Sequence, residues 1–239
     1  MIPELFHIGK LSISPFGVMM ALSFVAAYFQ LRWGLRKLDV GDDDDASALV
    51  LAGAVAGIIG AKIYYVLLYR DWHLLFDRSG FVWYGGFMLA TAATVWTMRR
   101  RSLPVWATLD AATLALAVGY AVGRVGCFLV GDDYGRPSDL PWAVAFPMGL
   151  PPTDTPVHPT QLYEMVLLVP IAWALVHWRR QGVADRVVFG RYLVLAGALR
   201  FAIEFVRVNE PVAGPFTLAH LISAAITLVG AYLIATARR

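Results

Sequence analysis

The sequence predicts an all-α polytopic membrane protein with about seven transmembrane helices, its N-terminus outside and its C-terminus in the cytoplasm. Three observations indicate this: an apolar composition, seven long apolar runs, and an uneven distribution of Lys and Arg. The 239 residues are 59% hydrophobic and 15% charged, whereas soluble domains are about 45–50% apolar and about 25% charged. This composition excludes a water-soluble globule and a disordered chain, and the single cysteine excludes a disulfide scaffold.

Seven apolar runs are separated by charged residues or by Pro and Gly clusters, and a span needs about 20 apolar residues. They lie at about 13–31, 47–69, 81–98, 104–130, 160–178, 187–207 and 216–236. The third run is the least hydrophobic, since it contains Tyr84-Gly85-Gly86 and several Thr residues. We expect a single domain over residues 1–239, with its longest outer loop at about 131–159.

The orientation follows from the basic residues, which are enriched in cytoplasmic loops. With the N-terminus outside, twelve Lys and Arg residues fall on the inner side and five on the outer side. The inner residues are Arg32, Arg36, Lys37, Arg99, Arg100, Arg101, Arg179, Arg180, Arg186, Arg191, Arg238 and Arg239, and the outer residues are Lys10, Arg70, Arg78, Arg136 and Arg207. The net charge of +3 therefore serves topology, and we expect no nucleic-acid partner.

Ionisable residues within spans are functional candidates because their burial is costly. Arg124 and Cys127 share a face near the outer end of helix four, at spacing i and i+3. On helix six, Arg200, Glu204 and Arg207 form one stripe, also toward the outer end.

Polar residues of two further helices are predicted at the same depth. His158, Gln161 and Glu164 lie at the outer start of helix five, and Tyr84-Gly85-Gly86 lies at the outer end of helix three. The convergence of four helices predicts a site in the outer leaflet.

Several arginines at this depth suit a phosphate, because guanidinium stays protonated and forms bidentate hydrogen bonds. Arg124, Arg200 and Arg207 would hold a phospholipid phosphate, with Glu204 orienting Arg200. The alternative is a set of buried ion pairs that join helices. Lys62 has a similar alternative, since a long side chain can snorkel to the interface or pair with a carboxylate.

Two long motifs resemble those of bacterial prolipoprotein diacylglyceryl transferases, and shorter matches follow in order along nearly the whole chain. The long motifs are Gly123-Arg124-Val125-Gly126-Cys127-Phe128, continued by residues 131–137 and 142–147, and His158-Pro159-Thr160-Gln161-Leu162-Tyr163-Glu164. The shorter matches are Phe16-Gly17, Gly60-Ala61-Lys62, Gly85-Gly86 and the segment 200–207.

The resemblance implies a transferase of the bacterial cytoplasmic (inner) membrane, multi-pass, with its active site toward the outer leaflet. It would transfer the diacylglyceryl group of phosphatidylglycerol to the lipobox cysteine thiol of a preprolipoprotein, in lipoprotein biosynthesis. The implied partners are phosphatidylglycerol, the preprolipoprotein signal peptide and the lipid bilayer, and neither a metal nor an organic cofactor is expected.

Together, the residues and the resemblance give two sets of candidate site residues. The catalytic candidates are Arg124, Arg200, Glu204, Tyr84 and Cys127. The phosphatidylglycerol-binding candidates are Arg124, Arg200, Arg207, Lys62, Gly85, Gly86, His158, Gln161, Glu164 and Asp132.

Some positions depart from the family pattern. Phe16 replaces the usual Tyr, Tyr84 replaces a His that is a proposed proton acceptor, Cys127 replaces Asn, and Val130-Gly131-Asp132 replaces Asn-Gly-Glu. A phenol with a pKa near 10 is a poor base at neutral pH. The base is therefore open among Asp132, Asp133 and Glu164, and Cys127 is either a transient lipid carrier or a small buried residue.

Two alternatives to the transferase follow. A divergent paralogue would bind phosphatidylglycerol without turnover or modify another acceptor. A small transporter is suggested only by the intramembrane charges, but the chain has no internal repeat of the kind common in transporters.

Overall fold

A computed structural model describes residues 4–8, 11–76, 80–183 and 186–237, and this part of the chain is mostly helical. Seven α-helices are present within it, which confirms the predicted all-α class and the predicted number of helices. They are α1 (Pro15–Leu38), α2 (Asp43–Tyr69), α3 (Trp83–Arg100), α4 (Val105–Val130), α5 (Thr160–Arg180), α6 (Val187–Glu204) and α7 (Leu218–Ala235).

Five of these helices, α1, α2, α4, α5 and α7, are long and apolar enough to cross a membrane. Both α3 and α6 have 18 residues, and whether they span the bilayer stays a prediction, as does the orientation of the termini. Four of the basic residues that predict this orientation, Lys10, Arg78, Arg238 and Arg239, lie outside the described residues.

Among the described residues, one short antiparallel hairpin precedes α1 and two more connect helices, and none of the three was predicted from the sequence. They pair β1 (Phe6–Ile8) with β2 (Leu11–Ile13), β3 (Val144–Phe146) with β4 (Thr153–Val157), and β5 (Pro211–Ala213) with β6 (Phe216–Thr217). A short 3-10 helix, Trp72–Phe76, follows α2. The predicted loop at 131–159 is therefore an ordered segment built around the β3–β4 hairpin.

The chain divides into two compact units, and each is described by itself. The first unit comprises residues 1–27 and 113–239, and the second comprises residues 28–112. The first unit has an apolar core contributed by α4, α5 and α6. Its fully packed members are Ala117, Leu168, Ile171, Leu175, Val188 and Leu199.

In the second unit, the start of α2 is fixed by its acidic residues. The carboxylate of Asp42 accepts a hydrogen bond from the Asp45 backbone at 2.9 Å, and the Asp45 carboxylate accepts one from the Asp42 backbone at 3.1 Å. Such a reciprocal capping box satisfies amides that have no partner within the helix. Asp43 also pairs with Arg32 and Arg36.

Small residues allow α2 and α3 to pack closely in the second unit. A Cβ atom added at Gly60 would collide with the backbone carbonyl of Gly85 and lie 2.6 Å from Cβ of Leu89. At Gly57, one turn earlier, an added Cβ would lie 3.7 Å from Cβ of Ala90, an ordinary contact. The two glycines therefore differ in how much they are required for packing.

Gly60→Ala is expected to destabilise the protein by about 1–3 kcal/mol, because overpacking forces the two helices apart. Gly57→Ala makes the same change on the same helix and is the matched control. Thermal unfolding of both purified variants in detergent measures the difference. Equal unfolding temperatures for the two variants would contradict the close approach at Gly60.

Candidate functional site

Helices α4, α5 and α6 of the first unit, with the segments that follow α4 and α6, bring together three arginines and three carboxylates. The two members of every neighbouring pair carry opposite charges. The six side chains therefore form a closed circuit of ion pairs, here called the charge ring. In order around the circuit, its members are Arg124, Glu164, Arg200, Glu204, Arg207 and Asp133.

Glu164 connects the arginines of two different helices. Its Oε2 lies 2.6 Å from Nε of Arg124 on α4, and its Oε1 lies 3.7 Å from Nη1 of Arg200 on α6. The Glu164 side chain is 0% exposed. A single buried carboxylate on α5 thus holds the two predicted phosphate ligands near each other.

Glu204 and Asp133 close the other side of the ring. Oε2 of Glu204 lies 2.6 Å from Nη2 of Arg200 and 3.8 Å from Nε of Arg207. Asp133 bridges the remaining two arginines, since its Oδ1 lies 2.6 Å from Nη2 of Arg207 and its Oδ2 lies 2.8 Å from Nη1 of Arg124. Three positive and three negative charges cancel, which is the condition for burying so many ions.

Backbone contacts place Arg207, which lies beyond the observed end of α6 rather than within the helix as predicted. Gly135 and Arg207 form a β-bridge, and the amide of Arg136 donates to the carbonyl of Val206 at 2.8 Å. A Cβ atom at Gly135 would collide with the Val206 carbonyl. The glycine therefore permits the loop after α4 to approach the segment that carries Arg207.

Hydroxyl and amide groups complete the coordination of the two glutamates. Tyr120 donates to Oε1 of Glu164 at 2.7 Å and accepts from Arg124 at 3.0 Å. Oε1 of Glu204 accepts from Thr217 at 2.6 Å and from Asn209 at 2.7 Å. These three donors were not predicted from the sequence; only Tyr120 carried a signal, since it lies four residues before Arg124.

Asp133 is the exposed member of the ring, with 43% of its side chain accessible. Burial alone raises the pKa of Asp133, but the charges of Arg207 and Arg124 and their hydrogen bonds outweigh this effect and lower it to about 2. The ordinary value is about 3.9. The stabilisation from these ion pairs is therefore present at neutral pH and is lost as the pH falls from about 4 toward 2.

Cys127 and Asp132 lie beside the ring. Nη1 of Arg124 lies 3.6 Å from Sγ of Cys127, and the ligand atoms of Cys127, Asp132 and Asp133 lie within 4.8 Å of one another. Burial raises the pKa of Asp132, and the negative charge of Asp133 adds to this effect. Gln161 donates to the backbone carbonyl of Asp132, so it positions the loop.

Within the first unit, His158 does not belong to the ring. Its Nδ1 lies 3.1 Å from the hydroxyl of Tyr163, which also accepts from Trp142 at 2.8 Å. Its backbone pairs with Gly135 and Arg136. His158 therefore supports the loop, and a direct contact with substrate stays a prediction.

Four predicted site residues, Lys62, Tyr84, Gly85 and Gly86, belong to the second unit. Nζ of Lys62 lies 5.1 Å from the ring centre of Phe81 and 5.6 Å from that of Tyr65. Gly85 and Gly86 pack against α2, which is a packing role. Their predicted association with the arginines stays a prediction.

The fold and the charge ring define a membrane protein with an arginine–carboxylate site built from three helices and the segments that follow two of them. The family model described as prolipoprotein diacylglyceryl transferase matches residues 3–236. The chain therefore belongs to this family, which confirms the resemblance carried by its two long motifs.

Curated relatives align with this chain over most of their length. The phosphatidylglycerol–prolipoprotein diacylglyceryl transferase of Geobacter sulfurreducens is 33% identical over 244 aligned residues, covering 95% of this chain and 92% of the relative. The protein of the same name from Pseudomonas putida is 31% identical, covering 87% of this chain and 81% of the relative. That from Vibrio vulnificus is 29% identical, covering 98% and 91%.

Glu164→Gln is expected to destabilise the first unit, because it leaves two arginines without a shared carboxylate. Breaking a buried ion pair costs about 3–5 kcal/mol, which lowers the unfolding temperature by at least about 6 °C for a chain of this size. Thermal unfolding in detergent measures the change. Glu210→Gln, at an exposed position of the same unit, is the control, and equal shifts for both variants would contradict the central position of Glu164.

Proposed function

We propose that the protein transfers the diacylglyceryl group of phosphatidylglycerol to the lipobox cysteine thiol of preprolipoproteins. The sulfur attacks the glyceryl carbon, a C–S bond forms, the C–O bond to phosphate breaks, and glycerol 1-phosphate leaves. Membership of the transferase family and the names of the relatives support this activity.

The observation that carries the proposal is the grouping of three arginines around shared carboxylates in the charge ring. A phosphodiester needs guanidinium donors that converge from different directions, and α4, α6 and the segment after α6 supply them. Within the described part of the chain, Nη1 of Arg200 is buried without a hydrogen-bond partner. The Arg200 side chain is 27% exposed, compared with 11% for Arg124 and 10% for Arg207, so Arg200 is the most accessible of the three arginines to a phosphate oxygen.

The reaction develops negative charge on the leaving phosphate, and the arginines stabilise that charge as it forms. Glu204 is a positioning residue in this scheme. It lies 2.6 Å from Arg200 and 3.8 Å from Arg207, while Thr217 and Asn209 hold its other oxygen. Arg200 is thereby oriented before the lipid arrives.

Asp132 is the preferred acceptor for the thiol proton among the three carboxylates that the sequence analysis left open. Asp133 and Glu164 each contact two arginines, which disfavours protonation. Burial raises the pKa of Asp132, and its Oδ1 has no hydrogen-bond partner among the described residues. These properties suit a general base.

We propose that Cys127 lies beside the reacting groups, because it contacts Arg124. A role as transient lipid carrier would form a thioether, and the second transfer would then have to break that C–S bond rather than a phosphate ester. We therefore favour direct transfer to the acceptor thiol.

The proposed setting is the bacterial inner membrane, with the N-terminus outside and the charge ring toward the outer leaflet. Residues 1–239 are proposed to act as one domain, in which Lys62, Gly85, Gly86 and His158 bind phosphatidylglycerol and Tyr84 takes part in catalysis. The lipid and the preprolipoprotein signal peptide would both enter from the bilayer.

The second candidate is a divergent paralogue that binds phosphatidylglycerol without turnover or modifies a different acceptor. The departures at Phe16, Tyr84 and Cys127 favour it, since Tyr84 stands where the family has its proposed proton acceptor.

Arg200→Lys is expected to reduce diacylglyceryl transfer at least about 100-fold, since lysine keeps the charge but loses the planar fork that binds phosphate and Glu204 together. The assay measures the thioether-linked lipid on a reporter lipoprotein in membranes depleted of the native enzyme. Arg191→Lys makes the same change on the same helix, where Arg191 lies over Trp178, and it should retain activity. Activity of Arg200→Lys equal to that of this control would contradict the phosphate role.

The double variant Tyr84→His with Cys127→Asn distinguishes the two candidates. If the chain is a transferase with an altered acid–base arrangement, the parent modifies the reporter and the double variant gives a comparable yield. If it is a non-catalytic paralogue, the parent leaves the reporter unmodified and the double variant gains activity. Both proteins are compared at equal membrane abundance in the same reporter assay.

A further inference from the structure

Asp133 differs from the other two carboxylates of the charge ring in how it is held. Glu164 and Glu204 are 0% exposed, and neutral donors reach their carboxylates in addition to the arginines. The Asp133 carboxylate is 43% exposed, and the two hydrogen bonds found to it come from Arg124 and Arg207.

The backbone of Asp133 has hydrogen bonds of its own, in addition to those of its carboxylate. Its carbonyl accepts from Oγ1 of Thr160 at 2.7 Å and from Nη1 of Arg207 at 3.0 Å. The residue has a φ of 60°, which a non-glycine residue rarely adopts. These contacts hold the backbone in place, so the carboxylate can leave the arginines by side-chain rotation alone.

The carboxylate makes the contacts that a phosphate ester would make. One oxygen binds Arg124 and the other binds Arg207, as two non-bridging phosphate oxygens bind two guanidinium groups. A phosphodiester and a carboxylate each carry one negative charge. Exchange of the carboxylate for the phosphodiester therefore leaves the net charge of the ring unchanged when the lipid binds.

We propose that the Asp133 carboxylate is an internal substitute for the phosphate ester, displaced when the ester binds and restored when glycerol phosphate leaves. This inference rests on the proposed function, because it assigns Asp133 to the entry of the lipid and the release of glycerol phosphate at the same site. Asp133 keeps the arginines assembled between turnovers and competes with both the lipid and the product. It therefore sets the affinity of the site for phosphate esters.

The test compares Asp133→Asn with the parent protein by direct binding of glycerol 1-phosphate and of inorganic phosphate, using calorimetry on the purified full chain in a neutral detergent. Removing the competing charge is expected to lower the Kd of glycerol 1-phosphate at least about fivefold, a change of about 1 kcal/mol. The Kd of inorganic phosphate is expected to fall as well, because Asp133 competes with the phosphate group itself. Asp139→Asn, an exposed acid on the same loop, should leave both values unchanged.

A Kd for glycerol 1-phosphate that is unchanged or higher in a folded Asp133→Asn protein would overturn the inference, because a purely structural aspartate would give that result. If the asparagine variant does not fold, Asp133→Ser provides the same comparison with a smaller neutral side chain. Binding is measured without turnover. Tighter binding in a protein that never modifies the reporter would therefore refute the proposed function and leave this inference standing.

Discussion

The alternation of three arginines with three carboxylates is the interaction on which the site of this protein depends. An isolated charge in an apolar environment costs many kcal/mol, and a pair recovers that cost only when its geometry is good. A closed circuit gives every ion two partners of opposite charge. Because the circuit draws on α4, α5, α6 and the loop after α4, the packing of these elements and the arrangement of charge depend on each other.

The surrounding structure supports this circuit. The β-bridge between Gly135 and Arg207 brings the chain beyond α6 against the loop after α4. Thr217, the N-cap of α7, donates to Glu204, so α7 is tied to the same circuit. Tyr120 connects Glu164 with Arg124 within the ring. The polar groups thus fix the ends of the helices, while apolar side chains pack their middle portions.

Much of the fold could be predicted from the sequence, because long apolar runs leave few alternatives to helices in a bilayer. The predicted end of α6 lies beyond the observed end. The apolar run continues through Phe205 and Val206, whereas the helix ends at Glu204. The hairpins were missed because their strands have only two to five residues and lack a clear alternation of polar and apolar positions.

The grouping of Arg124, Glu164, Arg200 and Glu204 could be predicted from helical spacing combined with orientation. The bridging position of Asp133 could not, because it depends on a left-handed backbone conformation and on the pairing of two distant segments. Neither leaves a signal in local periodicity. The site roles of the second unit's residues, Lys62 and Tyr84 among them, stay predictions.

The central claim is that the charge ring binds the phosphate of phosphatidylglycerol. Electron cryo-microscopy of the protein in phosphatidylglycerol nanodiscs tests it most directly. We predict phosphate density within hydrogen-bond distance of the guanidinium groups of Arg124, Arg200 and Arg207. A closed ring with all six ion pairs intact, and lipid phosphate found only elsewhere on the surface, would contradict the account.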